Sequence, residues 1–218
     1  FLTLKPNIAC ITSMDADHLD IYDNPNSLHK AFYNFSELVS DTLIVAKGLP
    51  IKGLTYAIEE AGDYCAKNIR IENGSYVFDV VTPKSTIENI QFALPGRHNI
   101  MNALAALAMA DSYGINLKTI KERLSSFRGV QRRFSYKIKS KDFILIDYYA
   151  HHPTEIRAVE NALKELHPDK EIMVIFQPHL FSRTRDFMDD FAKVLSAFNQ
   201  VVLLDIYPAR EEPIPNIN

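Results

Sequence analysis

Residues able to do chemistry gather in five places along the chain. The richest is Asp147-Tyr-Tyr-Ala-His-His-Pro-Thr-Glu155, which lies between a short apolar run and an amphipathic helical stretch. A second histidine-bearing segment, Gln177-Pro-His-Leu-Phe-Ser-Arg-Thr-Arg-Asp186, follows another apolar run. Imidazoles move protons near neutral pH, and a guanidinium can grip a carboxylate or phosphate through two parallel bonds. Asp15-Ala-Asp-His-Leu-Asp20 sets three aspartates around His18, and oxygen donors with one imidazole suit Mg²⁺. In Pro95-Gly-Arg-His-Asn-Ile-Met-Asn102, Asn99 and Asn102 share one face of a helix start, and a primary amide matches the edge of a purine. Arg97 and His98 add charge where the helix dipole already favours anions. The arginines of Arg128-Gly-Val-Gln-Arg-Arg-Phe134 flank a glycine turn and could clamp phosphate.

Each stretch also has a plainer reading. The two-histidine segment can be a polar loop capping a helix, with Pro153 in its first turn. The aspartate cluster can be a helix N-cap beside a solvent-facing His18, and Asn99 can be a cap in its own right. Arginines on a loop are usually solvated.

The elements that must position these groups follow from periodicity. Asn7 to Thr12 predicts a buried strand that delivers the aspartate cluster. A helix beginning at Ser27 keeps Leu28, Ala31, Phe32, Phe35 and Leu38 on one face. Strands are predicted at Leu43–Ala46 and Leu54–Ala57. A hairpin then runs from Asn68 to Glu72 and returns through Tyr76-Val-Phe-Asp-Val80, with Asn73-Gly74 as its type I′ turn. A strand over Ile90–Leu94 meets a Pro-Gly turn and an Ala-rich helix, and a further helix spans Leu117–Phe127. From about Ser140 the pattern becomes β-α-β-α-β: a buried strand Phe143–Ile146, helix 153–167, strand Ile172–Phe176, helix 184–198 and strand Val201–Ile206. That is half of a doubly wound sheet, with histidine loops at the carboxyl ends of its first two strands, where such sheets bind ligands. The expected class is α/β in two domains, residues 1–139 and 140–218.

Bulk composition narrows the function. The 218 residues are 47% hydrophobic and 23% charged, as in a globular protein, with net charge −3. No basic field draws the chain to nucleic acid or an anionic membrane, so phosphate binding must come from local groups. Cys10 and Cys65 stand far apart without metal spacing, which suits a reducing cytoplasm. The longest apolar run, Ala103 to Ala110, is too short to span a bilayer. The first residue is not Met and the last six lie in a turn-rich stretch, so the chain is expected to be a fragment.

Together these segments resemble the Mur ligases, the alanine-adding branch among them. The stretches that carry the resemblance are Asp15-Ala-Asp-His-Leu-Asp20, Pro95-Gly-Arg-His-Asn-Ile-Met-Asn-Ala103, Gly129-Val-Gln-Arg-Arg-Phe134, Tyr149-Ala-His-His-Pro-Thr-Glu155 and Phe176-Gln-Pro-His-Leu-Phe-Ser-Arg-Thr-Arg-Asp186. The family implies a central ATPase domain with a mixed sheet, here lacking its phosphate-binding loop, and the first part of a Rossmann-like C-terminal domain that binds the amino acid. It implies ATP and Mg²⁺, with UDP-N-acetylmuramate and L-alanine as substrates. ATP would phosphorylate the sugar's carboxylate and the alanine amine would attack the acyl phosphate. By resemblance His18 ligates Mg²⁺, His98, Asn99 and Asn102 adjoin the adenine, and Arg133 reaches ATP. His151, His179 and Arg183 surround L-alanine and the reaction centre. Two positions depart from the family pattern: Leu180 stands where many relatives carry Arg, and Tyr148 where they carry an Asp expected to hold the ribose.

Another amide ligase of the same family, adding a different amino acid, is an alternative, and two other classes compete. A metallohydrolase would close Asp15, Asp17, His18, His151, His152 and His179 around one transition metal. A non-enzymatic fragment would bind weakly and catalyse nothing.

Overall fold

The computed structural model describes residues 2–15, 24–72, 74–130 and 132–217. They form an α/β protein that divides into two compact units: residues 1–94 with 98–128, and residues 95–97 with 129–218.

The first unit is built on a mixed six-stranded sheet. Its strands β1 (Ile8–Ile11), β2 (Thr42–Ala46), β3 (Leu54–Ile58), β4 (Tyr64–Glu72), β5 (Ser75–Val81) and β6 (Thr86–Phe92) lie side by side in chain order. The ladders from β1 to β4 are parallel, and those from β4 to β6 antiparallel. Glu72 pairs with Ser75 and Gly74 has φ +73°, so the hairpin turns where expected; Asn73 lies outside the described residues. Parallel β2 and β3 are joined without a helix. The link depends on Gly53, where a Cβ would come within 2.6 Å of the Leu43 carbonyl oxygen.

Helix α1 (Pro25–Ser36) begins before Ser27 because the Asn24 side-chain oxygen accepts from the Ser27 N–H at 3.0 Å. Helix α2 (Arg97–Ser112) carries Ile100, Ala103, Leu104, Leu107 and Ala108 into one cluster with Ile44, Tyr56, Phe78 and Ile90. Each large apolar side chain so buried contributes about 1.5–3 kcal/mol. Helix α3 (Leu117–Ser126) adds Ile120. One polar pair lies inside: the Tyr64 hydroxyl donates to buried Asp111 at 2.8 Å. Burial and that bond push the Tyr64 phenol up to about 12.

The second unit opens with a hairpin of β7 (Ser135–Lys139) and β8 (Ile144–Asp147). Helix α4 (Pro153–Leu166), β9 (Met173–Phe176), α5 (Phe181–Asp186), α6 (Met188–Leu195) and β10 (Gln200–Leu203) follow in the expected alternation. Ile156, Phe176, Phe191, Val194, Leu195 and Phe198 make its core.

Three details differ from the sequence reading. Strand β8 is not buried throughout: Phe143 just before it and Leu145 within it are 57% and 43% exposed. Parallel β9 and β10 pair with each other while β8 pairs with β7, and among the described residues no ladder joins β8 to β9. A cavity of about 770 Å³ lies at these strands instead, lined by Ile144, Ile146, Ile156, Val174 and Phe176 among others. Alternating elements specify a crossover, not which edges meet. The helix expected over 184–198 starts earlier and breaks at Phe187, whose φ of −119° lies outside the helical range and whose ring packs on that of His152 at 4.8 Å.

Candidate active site

Helix α4 shows how one sequence signal positions two neighbouring histidines for different tasks. Pro153 occupies the first turn and His152 is the N-cap: its Nδ1 accepts from the Thr154 N–H at 3.3 Å. Glu155 completes a capping box by accepting from the backbone N–H groups of His151, at 2.9 Å, and His152, at 3.3 Å. The capping role foreseen for this loop thus falls to His152. His151 stays out of the cap. Its Nδ1 lies 3.6 Å from the Glu155 carboxylate and its ring 5.2 Å from that of Tyr149. A carboxylate beside Nδ1 favours the tautomer protonated there, which leaves Nε2 to accept.

Arg133 is presented by a strained turn. Its neighbours Arg132 and Phe134 both have positive φ, 60° and 56°, a conformation that L-residues avoid. Phe134 is buried, with its ring edge-on to Tyr136 and Tyr148 at 5.7 and 6.2 Å. The Arg132 carbonyl accepts from the Tyr149 N–H at 2.7 Å, and its guanidinium lies over the Tyr149 ring at 5.2 Å. The Arg133 guanidinium lies near the Tyr148 phenol. Burial raises the Tyr148 phenol, and the Arg133 charge partly opposes this. Adjacent Asp147 instead makes an ion pair with Lys137 at 3.5 Å, as expected of neighbours on opposite faces of a strand.

The loop after β9 carries His179 and leads into α5, where Arg183 sets its Nη1 3.5 Å from His179 Nδ1. Burial, then the charges of Arg183 and Arg210, hold the His179 imidazole below its ordinary value, against the opposing charge of Glu211. A guanidinium facing Nδ1 places the proton of the neutral ring on Nε2, making that atom a donor.

In the first unit His98, Asn99 and Asn102 lie on the opening turns of α2. His98 and Asn99 are half-buried and Asn102 is exposed. No acidic side chain occupies that first turn, so its N–H groups face no carboxylate of their own helix. Asp15 is described and exposed, whereas Asp17 and His18 lie outside the described residues. Among the described residues no three His, Cys, Asp or Glu side chains assemble as a metal site. The metallohydrolase reading therefore finds no support there.

Sequence reasoning missed Tyr207 and Glu211. Tyr207 stacks on His179 with centroids 5.6 Å apart, and Glu211 accepts two bonds from Ser182. The available signal was position: both follow the carboxyl end of β10, where the rule that singled out His151 and His179 applies equally.

Comparison with known proteins identifies the family. Residues 1–110 match the family described as Mur ligase middle domain, and residues 132–217 match that described as Mur ligase, glutamate ligase domain. The chain belongs to the Mur ligase family. Among its relatives is a UDP-N-acetylmuramate–L-alanine ligase of Christiangramia forsetii, 56% identical over 220 residues that take in all of this chain and 49% of the relative. An enzyme of that name from Flavobacterium psychrophilum is 54% identical with the same coverage. Among solved structures, the UDP-N-acetylmuramate–alanine ligase of Thermotoga maritima superposes with a TM-score of 0.77 at 30% identity, over 94% of this chain and 47% of the other. The chain spans about half the length of the curated relatives it matches.

Proposed function

We propose that the protein to which this chain belongs is a cytoplasmic, ATP- and Mg²⁺-dependent ligase of peptidoglycan synthesis. It joins L-alanine to the carboxylate of UDP-N-acetylmuramate through an acyl phosphate. Residues 1–139 are assigned to the central ATPase domain and 140–218 to the amino-acid domain. The observation that carries this reading is that relatives of one name match along the whole chain, with His151 and His179 on the loops after β8 and β9 and Arg183 on α5.

The chemistry brings two anions together, so positive charge and oriented donors are the tools it needs. When bound, ATP would supply the phosphoryl group that makes the carboxylate a mixed anhydride, from which phosphate can leave. Arg183 binds the carboxylate of L-alanine through its guanidinium. His179, neutral with its proton on Nε2, donates to an anionic oxygen at the reaction centre. His151, held with Nδ1 toward Glu155, accepts at Nε2 the proton that the attacking amine must lose. Arg133, beside the Tyr148 phenol, faces nucleotide phosphate. Asn99 and Asn102 at the start of α2 suit the adenine edge, with His98 alongside. The donor set fits a nucleotide, since the first turn of α2 carries no carboxylate that would repel it. His18 would hold Mg²⁺.

The test is kinetic and uses the full-length enzyme. Arg183→Lys keeps the charge but loses two-pronged geometry, so the KM for L-alanine should rise about tenfold while that for ATP changes little. Equal increases in both would assign Arg183 to phosphate and sink this arrangement.

A further inference from the structure

The loop that carries His179 and leads into α5 holds a backbone conformation that it would not adopt alone. Leu180 has φ 72° and ψ 133°, outside the regions open to a bulky L-residue. Such a conformation persists only where surrounding structure over-determines it, and strain of this kind collects at functional sites.

The restraint comes from residues 205–211, more than twenty positions later. The Leu180 N–H donates to the Tyr207 carbonyl at 2.9 Å, and the Tyr207 N–H donates to the Pro178 carbonyl at 2.8 Å. These two bonds bracket His179, whose ring lies stacked on that of Tyr207 with an interplanar angle of 25°. Gln177 Nε2 donates to the Asp205 carbonyl at 3.2 Å. On the far side of the loop, Glu211 Oε2 accepts from the Ser182 N–H at 2.9 Å and Oε1 from the Ser182 hydroxyl at 2.5 Å. Both carboxylate oxygens of Glu211 are thus engaged with the residue next to Arg183. Its geometry is that of a group holding another in place, not of one turned toward a ligand.

We propose that Tyr207 and Glu211 are positioning residues of the amino-acid site, fixing the segment from 177 to 183 so that Arg183 meets the carboxylate of L-alanine while His179 is held toward the reaction centre. This rests on the amino-acid role given above to His179 and Arg183. Tyr207 acts through ring stacking and its backbone bridge, and Glu211 through paired bonds to Ser182. Neither touches the reacting atoms.

The experiment is steady-state kinetics of the full-length enzyme, with each of the three substrates varied in turn. Glu211→Gln turns an amide N–H₂ toward one of the two Ser182 donors, and should raise the KM for L-alanine about tenfold. The KM values for ATP and the UDP-sugar should stay within about twofold, and the melting midpoint within about 4 °C. Glu211→Ala, which removes both acceptors, should exceed Glu211→Gln. Tyr207→Phe keeps the stacked ring and should raise the alanine KM far less than Tyr207→Ala, which should follow Glu211→Gln. A parallel rise in all three KM values, a lower melting midpoint with unchanged KM, or equal damage from Tyr207→Phe and Tyr207→Ala would each overturn the proposal. Arg183→Lys separates the two levels. If it raises the alanine KM and Glu211→Gln does not, only the positioning role falls. If Arg183→Lys leaves that KM unchanged, the reading of the site falls and this proposal with it.

Discussion

The loops after β8 and β9 both carry a histidine assigned to the reaction centre, yet they are held in different ways. The first is secured from within: Glu155 lies three and four residues from the backbone groups it accepts, and His152 caps the same helix. The second is secured from a distance. Ser182 and Glu211 are 29 positions apart, and Gln177 and Asp205 are 28 apart. A capping box forms with its helix and costs little chain entropy. A bond across nearly thirty residues forms only after the intervening helices and β10 have folded. His151 is therefore placed by local structure, and His179 by the assembled unit.

The largest effect on this contrast is expected from Glu155→Ala. It removes a charged acceptor of two backbone N–H groups and should lower the stability of the second unit by about 1–3 kcal/mol in urea unfolding. A loss under about 0.5 kcal/mol would mean that the His151 loop is not held by its own helix. Tyr207→Ala comes next. It deletes the stacked ring but leaves the backbone bridge, so about 0.5–1.5 kcal/mol should be lost in the same measurement. A loss comparable to that of a buried core phenylalanine would show that Tyr207 supports the fold at large.

The smallest effect is acidic. Burial alone would raise the Glu211 carboxyl, but bonds from Ser182 and Phe181 and the charge of Arg210 outweigh it and hold the group below its ordinary 4.5. Because the folded value lies below the unfolded one, the stabilisation is complete above about pH 4.5 and is lost as pH falls through the folded value. Glu211→Gln should flatten this part of the acid-unfolding curve. Asp79 in the first unit, lowered by bonds from the Asn68 side chain and the Asn89 backbone, should keep its own contribution in that variant. An unchanged curve in Glu211→Gln would place the acid sensitivity elsewhere.

What could be read in advance follows the same division between near and far. Pro153 and Glu155 announce the start of α4, and the apolar spacing from Ile156 to Leu166 its length. The Asn-Gly pair marks the β4–β5 turn, and the alanines from 103 to 110 mark the helix that packs on the first sheet. All are signals within a few residues. The break at Phe187 depends on contact with His152, 35 residues earlier, and periodicity is blind to it. The absent β8–β9 ladder is likewise a matter of which edges meet. In the site, resemblance pointed to His151, His179 and Arg183 through contiguous motifs. Tyr207 and Glu211 act on a loop that precedes them by two dozen residues, and no spacing rule links the two. Tyr148 was noticed for the Asp it replaces, whereas its nearness to Arg133, fifteen residues earlier, leaves no mark in the spacing.

Leu180 shows what such distant restraint permits. Its carbonyl accepts from the Thr184 hydroxyl at 2.8 Å and its N–H is held by Tyr207, so the backbone there is set by residues other than itself. The shape of this turn is thus written chiefly in Thr184 and Tyr207, and the residue that bears the strain is not the one that imposes it.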